Sequence, residues 1–210
     1  MSVEGEQRRL FEGDVGQAWV DAAVHDGRVA CDIETTGLDW AHDAIATCQL
    51  AVGSSIAIVQ LERGDIPGRL AALIADPSVT KVFHHAPFDL RFMANAWSIT
   101  PASIACTKIA SKIVEPGLPP AEYSLKPVLR RYLDVNIDKT QQVSDWSRGQ
   151  LSEDQLDYAA TDVMYLIGLH DHLRDRARRL GVDALIQASF RYLPTRVALD
   201  LSGAGDVFSY

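Results

Sequence analysis

Residues 29–38 read VACDIETTGL, and the fold is inferred from this stretch. The apolar run broken by Asp32 is typical of a buried strand, and Thr35-Thr36-Gly37 marks a turn after it. Side chains two residues apart in a strand project from the same face, so Asp32 and Glu34 lie side by side. Two carboxylates on one face repel each other unless a cation lies between them, so the pair predicts a divalent-metal site. The alternative is an edge strand whose acidic side chains are solvated.

The segments that follow predict the rest of the sheet. Residues 46–52 and 55–61 are short runs of strand character separated by turns, so with residues 29–33 they predict an antiparallel meander. The apolar spacing becomes helical over residues 66–75, and residues 79–83 predict a further strand. Strands followed mostly by helices favour an α/β or α+β class, with a mixed sheet that carries helices on both faces.

Helical patterns dominate the second half of the chain. Helices are predicted over residues 87–97, 107–114 and 124–133, the first of them opened by a proline in its first turn. The best-defined helix starts at Ser152, because Ser152 and Gln155 form a capping-box pattern. Its apolar positions continue to Leu173 within the same helix.

Composition and charge limit the classes of function. The chain has 210 residues and a formal net charge of −8, which argues against broad coating of long nucleic acid. Its three widely spaced cysteines fit neither a disulfide framework nor a zinc site, so a reducing cytoplasm is expected. The chain shows neither a signal peptide nor an apolar run long enough for a membrane span. We expect a single domain over residues 1–210, with a catalytic core over about 27–175 and a C-terminal helix and tail over 181–210.

Three further residues extend the acidic set. Asp89 is expected in the first turn of a helix, where an aspartate is favourable for the helix dipole alone. Tyr158 and Asp162 lie four residues apart in the capped helix, so they project from the same side. A core hydrogen bond between the two is the alternative to a catalytic role.

Taken together, these motifs resemble the DEDD superfamily of 3′–5′ exonucleases, in the subgroup with a tyrosine in its third motif. The order is Asp-x-Glu on a strand, an aspartate near a helix start, and Tyr-x-x-x-Asp on a late helix. SLKPVL at residues 124–129 and QVSDW at residues 142–146 are similar to ribonuclease D. CTKIAS at residues 106–111 and the YLPTR tail at residues 192–196 resemble the short relatives called nanoRNase C. The resemblance implies a ribonuclease H-like (DnaQ-like exonuclease) fold.

The resemblance also implies a set of site residues. Two divalent cations, Mg²⁺ or Mn²⁺, would be held by Asp32, Glu34, Asp89 and Asp162, and Tyr158 would orient the attacking water. The residues expected to contact the terminal nucleotides are Thr35, Thr36, Leu38, His84, Lys108 and Gln142. The nanoRNase C type further implies a homo-oligomer, ring-like in form.

The implied activity is metal-dependent 3′–5′ hydrolysis of short single-stranded RNA, down to dinucleotides, to nucleoside 5′-monophosphates by a two-metal mechanism. A DNA exonuclease of the same fold is an alternative, because DIETTGL at residues 32–38 is closer to proofreading exonucleases than to ribonuclease D. An inactive nucleic-acid-binding module is disfavoured, since all five chemical positions are present.

Overall fold

A six-stranded mixed sheet with the strand order β1-β4-β3-β2-β5-β6 organises the molecule. The computed structural model describes residues 7–138, 141, 144–146 and 149–209. The strands are β1 (Gln7–Glu12), β2 (Arg28–Thr35), β3 (Ile45–Val52), β4 (Ser55–Gln60), β5 (Thr80–Phe83) and β6 (Ile104–Cys106). The helices are α1 (Gln17–Asp26), α2 (Gly68–Ala75), α3 (Ala86–Trp97), α4 (Thr107–Val114), α5 (Leu125–Leu133), α6 (Glu153–Met164), α7 (Leu166–Leu180) and α8 (Asp183–Leu201), with a 3₁₀ turn at Pro120–Tyr123.

The predicted antiparallel meander is confirmed. β2 pairs with β3 and β3 pairs with β4 in antiparallel fashion, whereas β5 and β6 continue the sheet in parallel beyond β2. Every residue of β3 is buried. Because successive side chains of a strand point to opposite faces, helices must cover both faces of the sheet, as the α/β prediction required.

Strand β2 is central, and its carboxyl end carries the acidic pair. Asp32 lies opposite Gln49 and Glu34 lies opposite Thr47 on β3, and the register shifts between Glu34 and Thr35. A shift of this kind bends a strand and re-aims its side chains, as β-bulges beside active sites do. Helix α6 packs across β2, β3 and β4, which brings its side chains over this end of the sheet.

The sequence analysis did not predict three elements of the structure, and one helix that it did predict is divided into two. β1 carries Arg8 and Arg9 at the sheet edge, so it lacks the apolar run that marked the inner strands. Helix α1 was also missed, and β6 has only three residues. The helix expected to run from Ser152 through Leu173 ends at Met164, and a second helix begins at Leu166.

The C-terminal helix packs on the rest of the chain. α8 contacts α3, α4, α7 and β6, and its buried side chains are Ile186, Phe190, Leu193 and Val197. Within the described residues, no helix combines the length and the apolar character that crossing a membrane requires.

Candidate active site

A cavity of about 780 Å³ opens at the carboxyl end of β2. Its walls come from the turn after β2, the N-terminal turns of α3, α4 and α5, the segment 144–146, and one face of α6. The cavity therefore gathers segments that are far apart in the chain. Twelve of its lining residues carry charge or side-chain hydrogen-bonding groups next to the acidic pair: Thr35, Thr36, His84, His85, Asp89, Lys108, Ser124, Lys126, Ser144, Trp146, Tyr158 and Asp162.

Asp32, Glu34 and Asp162 meet in this cavity. One potential ligand atom from each of the three side chains lies within 4.8 Å of the other two. The first two carboxylates are half-buried on β2, and Asp162 is buried on α6. Such crowding of like charges is unfavourable without a cation, and an all-oxygen donor set is what Mg²⁺ prefers. The residues present therefore fit a hard divalent cation.

Asp89 lies beside this cluster and is hydrogen-bonded to the backbone of β2, the strand that carries Asp32 and Glu34. Its Oδ1 accepts a hydrogen bond of 3.2 Å from the backbone N–H of Ile33, the residue between the two acids of β2. The side chain is 3% exposed. Burial raises the pKa of Asp89 to about 8, and the charge of Asp162 acts in the same direction. The three-carboxylate group that the structure defines does not include it.

Tyr158 projects from the same face of α6 as Asp162. Its phenol is hydrogen-bonded to that carboxylate. Burial raises the pKa of Tyr158 far above its usual value, and the charges of Asp162 and Glu34 add to the effect. The hydroxyl therefore stays protonated at any working pH and can donate a hydrogen bond. The Trp146 ring packs against the Tyr158 ring, with centroids 5.9 Å apart.

The turn after β2 holds three of the predicted substrate contacts. Thr35 donates its hydroxyl proton to Gly37 O. Thr36 Oγ1 accepts the backbone N–H of Ala44, which leaves its own proton available to a ligand. Leu38 is 84% exposed at the cavity edge.

The other predicted contacts differ in their environments. Both ring nitrogens of His84 are engaged within the protein, Nδ1 with Thr107 Oγ1 at 2.8 Å and Nε2 with Tyr123 O at 3.1 Å. This arrangement gives His84 a structural role in joining β5 to the start of α4. Lys108 lines the cavity, and burial lowers its pKa. Gln142 lies outside the described residues.

Sequence reasoning missed several residues of the cavity wall. His85 has a left-handed backbone with φ 80° at the N-cap of α3. Its pKa falls to about 4, because burial and the cations Lys108, Arg91 and Lys112 disfavour a protonated ring. Lys126 also lines the cavity. Lys126 belongs to the SLKPVL motif, but only the fold shows that Lys126 and His85 line the same cavity as the acidic cluster. The cavity thus has acidic groups from β2 and α6 and basic groups from α4 and α5.

A mixed sheet of this order, with a carboxylate cluster at the end of its central strand, defines a nuclease of the ribonuclease H-like type. Residues 17–178 match the 3′–5′ exonuclease family. The chain belongs to that family, and the predicted enzyme class is confirmed.

Solved structures extend the similarity to almost the whole chain. A structure of Brucella melitensis NrnC is 37% identical, with a TM-score of 0.90, and the match covers 97% of this chain and 98% of that one. The same protein bound to pGG is 36% identical with a TM-score of 0.88, over 98% of this chain and 100% of that one. With bound Mg²⁺ it is 35% identical with a TM-score of 0.87, over 97% and 99% of the two chains. The predicted resemblance to the nanoRNase C type and the predicted fold class are therefore confirmed.

Curated relatives are longer than this chain. Ribonuclease D of Granulibacter bethesdensis is 35% identical over 109 residues, which are 52% of this chain and 27% of that protein. The chain spans less than half the length of the ribonucleases D that it matches.

Proposed function

We propose that the protein is a metal-dependent 3′–5′ exoribonuclease that degrades short oligoribonucleotides, down to dinucleotides. The observation that carries this proposal is that Asp32, Glu34 and Asp162 line the same cavity as the cationic Lys108 and Lys126. Such a cavity suits an anionic substrate next to a cation. The similarity to a protein solved with pGG supports a substrate of this size.

Asp32, Glu34 and Asp162 would hold the first of two divalent cations, Mg²⁺ or Mn²⁺. Asp89 would support the second from its position beside the cluster. When bound, a pair of such ions activates water and stabilises the charge that develops on the phosphate and the leaving oxygen. Asp32, Glu34 and Asp162 would supply most of the negative charge that keeps the cations at the end of β2, and a nearby cation would favour the charged form of Asp89.

Tyr158 would orient the attacking water through its protonated hydroxyl. The water oxygen attacks the phosphorus of the phosphodiester that joins the 3′-terminal nucleotide to the preceding one. This attack breaks the bond from that phosphorus to the 3′ oxygen of the preceding nucleotide. The attacking water loses one proton to solvent, the leaving 3′ oxygen gains one from solvent, and the released product is a nucleoside 5′-monophosphate. Because the pKa of Tyr158 is raised, the phenol positions the water and does not remove its proton.

The turn after β2 would hold the 3′-terminal nucleotide. The free hydroxyl proton of Thr36 suits the 3′-OH, with the neighbouring Thr35 shaping the same turn. Leu38 would pack beside the last base, because an apolar side chain 84% exposed at the cavity edge gains from covering a ring. Lys108 and Gln142 are the proposed phosphate or sugar contacts, and we assign His84 mainly to supporting the wall.

The remaining proposals concern the whole protein. We propose one exonuclease domain over residues 1–210, a cytoplasmic location, and a homo-oligomer of ring-like form. Exposed apolar side chains toward the C-terminus support an interface: Leu180, Leu185, Val207 and Phe208. Light scattering of the purified chain tests the assembly, and a monomer at micromolar concentration contradicts it.

The decisive experiment compares RNA and DNA substrates of two, four and twenty nucleotides, with Mg²⁺ or Mn²⁺, at low and moderate salt. We expect the two short RNAs to be turned over at least as fast as the twenty-nucleotide RNA, because a chain of net charge −8 has little with which to hold many phosphates. Faster cleavage of DNA than of RNA would favour the alternative of a DNA exonuclease, which the DIETTGL motif at residues 32–38 suggested. Binding without cleavage of either polymer would indicate an inactive module.

A further inference from the structure

Gln155 joins the start of α6 to the segment 144–146. Its side-chain carbonyl accepts the backbone N–H of Ser152 at 3.0 Å, and the Ser152 hydroxyl accepts the backbone N–H of Gln155 at 3.2 Å. Its side-chain amide donates to Ser144 Oγ and to Asp145 O, each at 3.1 Å. Only 5% of the residue is exposed. The carbonyl therefore completes the capping box, while the amide holds a different segment of chain.

That segment places Trp146 against Tyr158. Trp146 follows directly after Asp145, is 4% exposed, and lies with its ring 5.9 Å from the Tyr158 ring at an interplanar angle of 47°. Gln155 and Tyr158 are three residues apart in α6 and share its buried face. Gln155 and Tyr158, one turn apart in α6, are thus connected through the segment 144–146. Gln155 is hydrogen-bonded to Asp145, and the ring of the next residue, Trp146, packs against Tyr158.

This connection bears on where the Tyr158 hydroxyl lies. A tyrosine ring turns about two side-chain bonds, and neighbours packed against the ring limit both rotations. Trp146 also lines the cavity, so it occupies space into which the Tyr158 ring would otherwise swing. Displacing a group that orients a reactant by about 1 Å costs up to about a hundredfold in rate.

We propose that Gln155 is a positioning residue for Tyr158, acting through the segment 144–146 and the Trp146 ring. The proposal rests on the proposed function, in which the Tyr158 hydroxyl orients water. The competing role is that of a helix cap alone. The two roles use different atoms of one side chain, so different substitutions separate them.

Two substitutions separate the roles, because one removes the amide contacts of Gln155 and the other weakens the helix cap. Gln155→Glu keeps an oxygen that accepts the Ser152 N–H, and glutamate is a usual partner in a capping box. It removes the donor to Asp145 O, although the Ser144 hydroxyl can turn and donate to the new carboxylate. Ser152→Ala weakens the cap instead, because it removes the hydroxyl that accepts the Gln155 N–H and leaves both amide contacts of Gln155 in place.

The experiment is a double-mutant cycle with Tyr158→Phe, measured as kcat and KM for the 5′-phosphorylated dinucleotide pGG with Mg²⁺. We expect Gln155→Glu to lower kcat about tenfold with KM changed less than about twofold, and Ser152→Ala to change neither by more than about twofold. In the Tyr158→Phe background, Gln155→Glu should lower kcat by less than about twofold further, because the hydroxyl that it positions is already gone. Gln17→Glu, at an exposed glutamine of α1, controls for the added charge.

Additive losses in the cycle, or a larger loss of kcat in Ser152→Ala than in Gln155→Glu, would overturn the positioning role. If the buried carboxylate of Gln155→Glu prevents folding, the neutral variant Gln155→Met is used instead. The quantity tested is then how much more kcat falls in Gln155→Met than in Ser152→Ala. Failure of the proposed function looks different, because the unsubstituted protein then leaves pGG intact. If the protein cleaves pGG and Tyr158→Phe is fully active, Tyr158 has no role, and the inference about Gln155 is wrong while the nuclease activity stands.

Discussion

The backbone N–H of Ile33 donates a hydrogen bond of 3.2 Å to Oδ1 of Asp89. The pairing of β2 with β5 begins at Arg28 and ends at Ala30, so Ile33 lies beyond the last paired residue on that side of β2. The first turn of α3 therefore satisfies a backbone donor that the sheet leaves open. The contact fixes the strand between Asp32 and Glu34, the two residues that provide two thirds of the carboxylate cluster.

Substitution of Asp89 should separate this structural contact from its charge. Asp89→Asn keeps an acceptor for Ile33, and since burial raises the pKa of Asp89, a neutral side chain fits the site. Asp89→Ala leaves a buried N–H unpaired, which costs about 1–3 kcal/mol. Urea unfolding in EDTA should show Asp89→Ala less stable than Asp89→Asn by that amount, while both variants lose activity. Equal stability of the two would show that the bond to Ile33 contributes nothing.

Asp162→Asn should give a folded protein whose activity is reduced at least about a hundredfold, because the metal site loses one of its three close carboxylates. In EDTA its melting temperature should equal or exceed that of the unsubstituted chain, since one repelling charge is removed. Hydrolysis of pGG and circular dichroism provide the two measurements. Asp154→Asn, an exposed position on the same helix, is the matched control. Full activity of Asp162→Asn would exclude the assignment.

Metal removal should inactivate the protein without unfolding it, because the core does not depend on the cluster. Added Mg²⁺ should raise the melting temperature, by the equivalent of about 2.7 kcal/mol at a hundredfold excess over the dissociation constant. Differential scanning calorimetry across a Mg²⁺ series measures the shift. A melting temperature that is higher in EDTA than in Mg²⁺ would contradict a shared carboxylate site.

Tyr158→Phe should be less severe than the loss of a carboxylate, with kcat lower by about 10- to 100-fold. Because the pKa of Tyr158 is raised, the phenol does not ionise over the working range, and the variant should keep the shape of the pH–rate profile. Steady-state rates from pH 6 to about 10 test this. A limb near pH 9–10 that disappears in the variant would show the tyrosine acting as a base.

Lys81 makes stability depend on alkaline pH. Its side chain is fully buried on β5 and donates to Asp76 O, and burial lowers its pKa to about 8. Between about pH 8 and 10.5 the unfolded chain binds more protons than the folded chain at this residue, so its contribution to stability rises with pH. Lys81→Met should remove that rise, which is on the order of 3 kcal/mol at most.

Urea unfolding of both proteins across this pH range supplies the comparison for Lys81. Only the difference between the two proteins is used, because tyrosines and cysteines of an unfolded chain ordinarily titrate in the same pH window. A difference that stays constant with pH would show that Lys81 has an ordinary pKa.

Local signals explain which elements the sequence predicted. The capping box at Ser152 and the helix over Thr107–Val114 lie where expected, since both depend on residues close together in the chain. The break at Tyr165 has no glycine or proline to mark it, and the apolar pattern runs straight through. β1 was missed because it is an edge strand, and its Arg8 forms ion pairs with Glu153 and Asp157 of α6.

The part of the active site that depends on residues close together in the chain was also predictable from the sequence. Strand periodicity alone placed Asp32 beside Glu34. The approach of Asp162 depends on how α6 crosses the sheet, which no local pattern specifies, so only the resemblance indicated it. His85 could not be recognised because its role in the cavity follows from a left-handed backbone. The link from Gln155 to Trp146 joins two segments by hydrogen bonds that composition does not reveal.

The carboxylate cluster joins Asp32 and Glu34 of β2 to Asp162 of α6, which follows much later in the chain. While the protein is being synthesised, a ribosome that has released β2 to β6 has produced Asp32, Glu34 and Asp89 but not Asp162. A chain at that stage lacks the third carboxylate of the cluster and Tyr158, so under the proposed function we expect it not to cleave RNA. The proposed nuclease activity therefore depends on a contact between α6 and the sheet that forms only after α6 has left the exit tunnel.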